Sequence, residues 1–162
     1  MMIEVTTTVE VDMPAARSFD LVANAENNPR WQGGMRSCRW ATDEEIHVGS
    51  IYHQEARFLG RTIRSTFAVT SFEPGRSITI RTIDSTFPIE VTRSVEPLGA
   101  DRSLVRAVVA GNASGVFRIA EPVLRRLVAQ SVGADYRRLQ QLCRAGLGHA
   151  GAPPTGATGQ GS

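Results

Sequence analysis

The stretch GSIYHQEARFLGRTIRSTFAVTSFEPGRSITIRTI, residues 49–83, decides the fold. Apolar and polar residues alternate through it, and turn chemistry cuts the pattern twice, at Leu-Gly-Arg (59–61) and Glu-Pro-Gly-Arg (73–76). A period of two marks half-buried strands, and such short breaks join consecutive strands as antiparallel neighbours. The pattern continues in both directions. MRSCRWAT (35–42) precedes it, and FPIEVTRSVEP (87–97) and RSLVRAVVAG (102–111) follow, punctuated by Asp-Ser-Thr at 84–86 and Glu-Pro-Leu-Gly-Ala-Asp at 96–101. IEVTTTVEV at 3–11 has the same alternation, so seven strands are expected in an antiparallel meander.

Helical spacing flanks this block. In MPAARSFDLVAN (13–24), Pro14 suits a first helical turn, and Ala15, Phe19 and Val22 recur on one face. NNPRW (27–31) suits a second short turn, with Asn28 as its cap and Pro29 at its first helical position. From residue 114 to 145 the period changes to that of one amphipathic helix, about 45 Å long at ~1.5 Å per residue. Pro122 predicts a kink or restart, Gly133 is a second weak point, and Gly146 ends the helix. Residues 1–145 read as one domain. The Gly/Ala/Pro-rich segment 146–162 reads as a disordered tail.

Bulk properties narrow the function classes. The 162 residues suit one domain, and no apolar run reaches membrane-spanning length. The start of the chain does not read as a signal peptide, so a cytoplasmic protein is expected. A net charge of +2 does not suggest a nucleic-acid partner. All 18 basic residues are arginine, spread along the chain as codon bias would place them. The dense set Arg125, Arg126, Arg137 and Arg138 reads as a solvated helix face. Cys38 and Cys143 lie far apart and are expected to be free, buried thiols.

One long helix and a short helix pair are available to cover one face of a twisted seven-stranded sheet. A cavity between sheet and helix is the physical expectation. The chain also resembles the polyketide cyclase/dehydrase and lipid-transport family of the START-like (SRPBCC) superfamily, over residues 2–145. The resemblance rests on MPAARSFDLVANAENNPRW with its Asn-x-x-x-x-Pro-x-Trp turn, on the run VGSIYHQEARFLGRTIRSTFAVTSFEPGRSITIRT, and on IAEPVLRRLVAQSVGADYRRLQQLC. It implies an α+β helix-grip fold: a seven-stranded antiparallel sheet wrapped around a long C-terminal helix, with two short helices after strand 1. It further implies an enclosed apolar pocket for a small hydrophobic or aromatic molecule.

No metal-binding spacing, nucleophile elbow or phosphate loop is present, and only three histidines occur, His47, His53 and His149. No metal and no cofactor are expected. Strand parity then suggests the pocket's lining. Tyr52, Gln54, Ala56 and Phe58 share the more apolar face of their strand, with His53, Glu55 and Arg57 outward. The opposite register would place His53 and Glu55 inside as an acid/base pair. Ile63, Ser65, Phe67 and Val69 face inward, as do Phe87, Ile89, Val91, Arg93 and Val95. Arg93 on an inward face either meets a ligand carboxylate or phenolate or snorkels at the sheet end. Arg106, between Leu104 and Val108, poses the same question; with both inward, an acidic ligand or Glu55 is the natural counter-charge. On the long helix, Ile119, Val123, Leu127 and Gln130 are the candidates for the pocket face. Trp31 either lids the cavity mouth as a ligand contact or plugs the end of the core.

Two functions are expected from these residues. The first is binding or carriage of a small hydrophobic molecule (a lipid, quinone or polyketide-like aromatic) by Trp31, Tyr52, Gln54, Phe58, Ile63, Ser65, Phe67, Phe87, Ile89, Val91, Arg93, Val108, Ile119, Val123 and Leu127, in a monomer or homodimer. The second is a metal-free aromatase/cyclase-type enzyme in which Tyr52, Gln54, Arg93 and Arg106 assist proton transfer or hold an enolate. A co-chaperone-like interaction module is a third option and needs an exposed apolar groove.

Overall fold

The structure is a computed structural model, which describes residues 3–42 and 45–146. The element order is β1 (Ile3–Val11), α1 (Ala15–Ala23), a 3-10 helix (Ala25–Arg30), β2 (Met35–Trp40), β3 (Ile51–Phe58), β4 (Arg61–Glu73), β5 (Ser77–Asp84), β6 (Ile89–Pro97), β7 (Ser103–Gly111), α2 (Ser114–Phe117) and α3 (Glu121–Arg144). All seven strands form one antiparallel sheet in the order β1-β7-β6-β5-β4-β3-β2. It is a meander whose first strand returns to pair with the last. The expected tail from residue 147 onward lies outside the described residues.

Local chemistry explains the turns. Glu73-Pro74-Gly75-Arg76 closes with Arg76 N–H donating to Glu73 C=O at 2.9 Å, and Gly75 has φ +79°. Proline followed by a left-handed glycine is the type II signature. β4 is the longest strand, and its pairing with β5 shifts register between Thr66 and Phe67 and again between Val69 and Ser71. Such irregularities add twist and bend the sheet.

The long helical segment restarts where Pro122 predicts. α2 ends at Phe117, Arg118 takes a left-handed φ of +51°, and α3 begins at Glu121 with proline in its first turn. α3 then runs unbroken through Gly133 and packs most closely on β1. No described helix is long and apolar enough to cross a membrane. The sheet gripping α3 is the α+β helix-grip arrangement expected from the sequence.

The second helical turn differs from expectation. Asn24, not Asn28, is the cap: its side chain accepts from Glu26 N–H at 3.1 Å, and the 3-10 helix starts three residues before Asn28. Asn28 is buried inside it. Two apolar clusters make up the interior. The larger joins α1, the 3-10 helix, the middle of the sheet and the C-terminal half of α3 through Leu21, Val22, Trp31, Tyr136, Leu139 and Cys143. The smaller centres on Ile3, Val5, Ala113 and Leu124, with Phe58, Phe87, Phe117, Ile119 and Val128 partly buried around it. Cys38 and Cys143 are free and buried, and burial pushes both thiols up to about 11.

Candidate functional site

A cavity of about 230 Å³ lies between the concave face of the sheet and α3. Its walls follow from strand alternation. β3 contributes Tyr52, Gln54, Ala56 and Phe58; β4 contributes Ile63 and Phe67; the β6 segment contributes Phe87, Ile89, Val91 and Arg93. The inward parity expected for these strands is the one observed, but Arg57, expected outward, also borders the cavity. His53 is exposed and its Nδ1 meets Thr66 Oγ1 at 2.9 Å, while Glu55 pairs with Arg64 across the strands at 2.9 Å. The alternative in which His53 and Glu55 form an inward acid/base pair is thereby overturned, and Glu55 is no counter-charge for Arg93.

Other expected lining residues lie elsewhere. Ser65 is buried but hydrogen-bonds Ser85 Oγ at 2.7 Å and is not part of the wall. Arg106 is exposed and Val108 is off the wall, because the inward parity of β7 is Ser103, Val105, Ala107 and Val109. That strand is apolar on both parities, so alternation alone does not orient it. The helix face is also rotated. Val123 is 52% exposed, Gln130 is exposed, and neither Ile119 nor Leu127 lines the cavity. Leu124, Val128, Ser131, Val132, Asp135 and Tyr136 do. The run 124, 128, 132, 136, 139 is a legible helical stripe. It competes in the sequence with 119, 123 and 127, and only the docking of α3 on β1 decides between them.

The polar end of the cavity is built round Arg93, which is 7% exposed and does not snorkel. Its Nε donates to Tyr136 Oη at 3.0 Å, and its Nη1 donates to Val22 C=O at 2.9 Å and Asn28 Oδ1 at 3.2 Å. Its guanidinium carbon lies 5.0 Å from the centre of the Trp31 ring. Each partner is neutral, so the positive charge is held by dipoles and a π face, with no carboxylate in salt-bridge range among the described residues. Burial alone would lower the Arg93 pKa, but the phenolic oxygens of Tyr136 and Tyr52 more than offset it, and the side chain stays charged.

Trp31 is 1% exposed and does not line the cavity. Its ring packs edge-on against Tyr136, with centroids 4.8 Å apart, and its indole N–H has no partner among the described residues. The tryptophan in the polar turn is therefore a plug behind the cavity, one ring removed from it. The rim beside it is the Gln32–Met35 loop. Gly33 N–H donates to Asp135 Oδ1 at 3.0 Å, and Arg138 donates to the same oxygen at 2.8 Å. A Cβ on Gly34 would lie 2.5 Å from the Arg57 carbonyl oxygen, so only glycine lets this loop close against β3. Burial raises the Asp135 pKa above the ordinary aspartate value despite these donors, and burial likewise raises Tyr136. Asp135, Tyr136 and the Asn28 contact were not singled out in the sequence. Tyr136 falls on the legible stripe of α3, but no local pattern marks its role or that of Asp135, because those roles exist only once α3 and the 3-10 helix meet β6.

The model of the family described as polyketide cyclase/dehydrase and lipid transport matches residues 2–144. No curated protein matches the sequence significantly. Among solved structures, a START superfamily protein from Mycobacterium smegmatis superposes with a TM-score of 0.75 at 18% identity, covering 88% of this chain and 97% of that one. The Zhui aromatase/cyclase from Streptomyces sp. R1128 superposes with a TM-score of 0.70 at 14% identity, covering 97% of this chain and 100% of that one. Major latex-like protein 151 from Panax ginseng gives 0.68 at 13% identity, covering 88% and 97% respectively. At these identities the likenesses speak for the fold alone.

Proposed function

We propose that this chain, which belongs to the polyketide cyclase/dehydrase and lipid-transport family, binds one compact hydrophobic molecule in the cavity under α3, with an oxygen-bearing end turned to Arg93, Tyr136 and Gln54. The observation that carries this reading is an apolar cavity with a buried cation, Arg93, at one end. Small-molecule sites combine apolar walls with a few convergent polar groups in this way. Volume favours a ring system over a long acyl chain. At about 230 Å³ the space is of the same order as the roughly 150 Å³ engineered cavity that takes up benzene. A polyketide-like aromatic or a quinone head suits it better than a whole lipid. Tyr52, Gln54, Phe58, Ile63, Phe67, Phe87, Ile89, Val91 and Arg93 are the contacts retained from the sequence reading, and Leu124, Val128 and Tyr136 join them.

2-Naphthol, two fused rings with one oxygen, is a suitable probe. Calorimetric titration should give saturable one-to-one binding, and Val128→Phe, which fills the cavity from α3, should weaken it at least tenfold. Absence of binding, or unchanged binding in the filled variant, overturns the reading.

One observation favours a second reading, an aromatase/cyclase-type enzyme. Asp135, with its raised pKa, adjoins Tyr136 and Arg93 at the same end of the cavity. A carboxyl near a phenol and a fixed cation supplies proton transfer beside a site that holds an enolate oxygen. Turnover of a poly-β-ketone that falls in Asp135→Asn, with 2-naphthol binding retained, would support catalysis. Equal turnover in both proteins would remove that role.

A further inference from the structure

Gln54 is a half-buried amide in the cavity wall, and an amide can show the cavity either its C=O or its NH2. Which end it shows is decided behind the wall, by contacts that begin at Arg93. A guanidinium can only donate. Arg93 Nη1 donates to Asn28 Oδ1 at 3.2 Å, so the Asn28 amide has one orientation, with Nδ2 as its free donor. Nδ2 meets Cys38 Sγ at 3.8 Å, and Cys38 Sγ meets Gln54 Oε1 at 3.9 Å, the long contacts of a large sulfur atom. Cys38 lies directly opposite Gln54 in the β2–β3 register, so both side chains leave the sheet on the same face. Burial pushes the Cys38 thiol up to about 11, so it keeps its proton at neutral pH. The sulfur accepts from Asn28, and its proton is left for Gln54 Oε1. The relay from Asn28 through Cys38 to Gln54 runs one way because its first donor has no choice.

With Oε1 taken by Cys38, Gln54 Nε2 is left for the cavity, and it makes no hydrogen bond among the described residues. The neighbouring groups have the same sign. Arg93 borders the cavity and is 7% exposed, and its Nη2 makes no hydrogen bond among the described residues. Tyr136 Oη accepts from Arg93 Nε, which leaves its O–H to donate. Buried donors without partners call for an acceptor. Asp135 is an acceptor bordering this end, and its Oδ1 is held at the rim by Gly33 N–H and Arg138.

We propose that Cys38 is a specificity-determining positioning residue: its thiol holds Gln54 with the NH2 toward the cavity, so that the polar end takes an acceptor oxygen, a carbonyl or enolate, and refuses a group that only donates. The proposal rests on the ligand reading above and deepens it. A carbonyl oxygen can accept from Gln54 Nε2 and Arg93 Nη2. A ligand N–H in its place would be left unpaired and would leave those donors unpaired as well, which is the costly case. Turned over, Gln54 would offer its C=O and welcome that N–H. The thiol touches no ligand and acts through Gln54 alone.

1-Indanone, indole and indane test it, because they share one fused bicyclic shape and carry an acceptor, a donor and neither. In calorimetric titration the unaltered protein should bind 1-indanone about tenfold or more tightly than indole. Cys38→Ala should cut that ratio about fivefold or more, with indane affinity changed by less than about twofold. Cys38→Ser, whose hydroxyl also donates, should keep the ratio. Gln54→Met removes the amide, and in that background Cys38→Ala should alter the ratio no further. Without any ligand, the infrared S–H band of Cys38 should lie below that of Cys143, whose thiol makes no hydrogen bond among the described residues. Indole binding as tight as 1-indanone binding overturns the proposal and leaves the ligand reading standing. A ratio that survives Cys38→Ala also overturns it, as does a Cys38 band no lower than that of Cys143. A loss in Cys38→Ala that falls equally on indane shows a merely structural role and overturns it as well. If neither these three nor 2-naphthol bind, the ligand reading fails and the selectivity fails with it.

Discussion

The two halves of the interior are walled by the same sheet and the same helix, yet one is solid and the other hollow. Around Trp31, Tyr136, Leu21 and Leu139, α1 and the 3-10 helix add their side chains to those of the sheet and α3, and these four are buried. Around Leu124 and Val128 that layer is missing. There α3 faces the sheet alone, the four-residue α2 only closes the end, and the aromatic rings of Phe58, Phe87 and Phe117 are partly exposed. The hollow goes with the absent layer and with small residues in its walls, among them Ala56, Gly111, Ala113 and Ser131, and Arg93 with Tyr136 marks the boundary.

Substitution can break that contrast. Trp31→Ala, in the solid half, should cost about 3–5 kcal/mol in urea denaturation, the usual range for deleting a packed indole. Phe87→Ala, on the hollow side, should cost only about 1–2 kcal/mol, because the ring already borders a void and forfeits fewer contacts. Equal losses would mean that both halves are packed alike. At the boundary, Arg93→Met keeps the length of the side chain but strands Val22 C=O, Asn28 Oδ1 and Tyr136 Oη. A loss of about 3 kcal/mol is expected, and a loss below about 1 kcal/mol would show that the network does not hold the two halves together.

The smallest effect concerns the rim. Asp135 has a folded pKa raised above the ordinary value of 3.8, so the folded state binds its proton more readily than the unfolded chain. Its contribution to stability is therefore full below that value and declines as pH rises through the folded pKa. Asp135→Asn keeps an acceptor for Gly33 N–H and removes the titration. Its stability should be flatter with pH across this window, and within about 1 kcal/mol of the parent at neutral pH, since the Arg138 side of the lost pair is half exposed. A parent whose stability instead rises with pH relative to the variant would contradict the burial of this carboxyl.

Much of the scaffold was legible in the chain. β3, β4 and β6 each carry one clearly apolar parity, so Tyr52, Phe67 and Val91 could be oriented without a partner strand. β7 could not, because Leu104 and Val108 compete with Val105, Ala107 and Val109. Pro122 announced the restart of the helix, but the stripe of α3 that faces the cavity was ambiguous between two sets one residue apart. Asn28 looked like a cap because Asn-Pro is a capping pattern, and the earlier Asn24 took that role. The freed Asn28 became a ligand of Arg93.

The sequence by itself determined the number of strands, their turns, the position of the long helix and the inward direction of Arg93. Each is a local matter of period and turn chemistry, decided over a few consecutive residues. Only the tertiary structure decided what Arg93 touches, that Trp31 plugs the core without reaching the cavity, which face of α3 is walled in, and that a space of about 230 Å³ stays open beside it. These depend on which element covers which part of the sheet. Packing between segments as distant as residues 28, 93 and 136 is set by the whole fold and leaves no periodic trace in the chain.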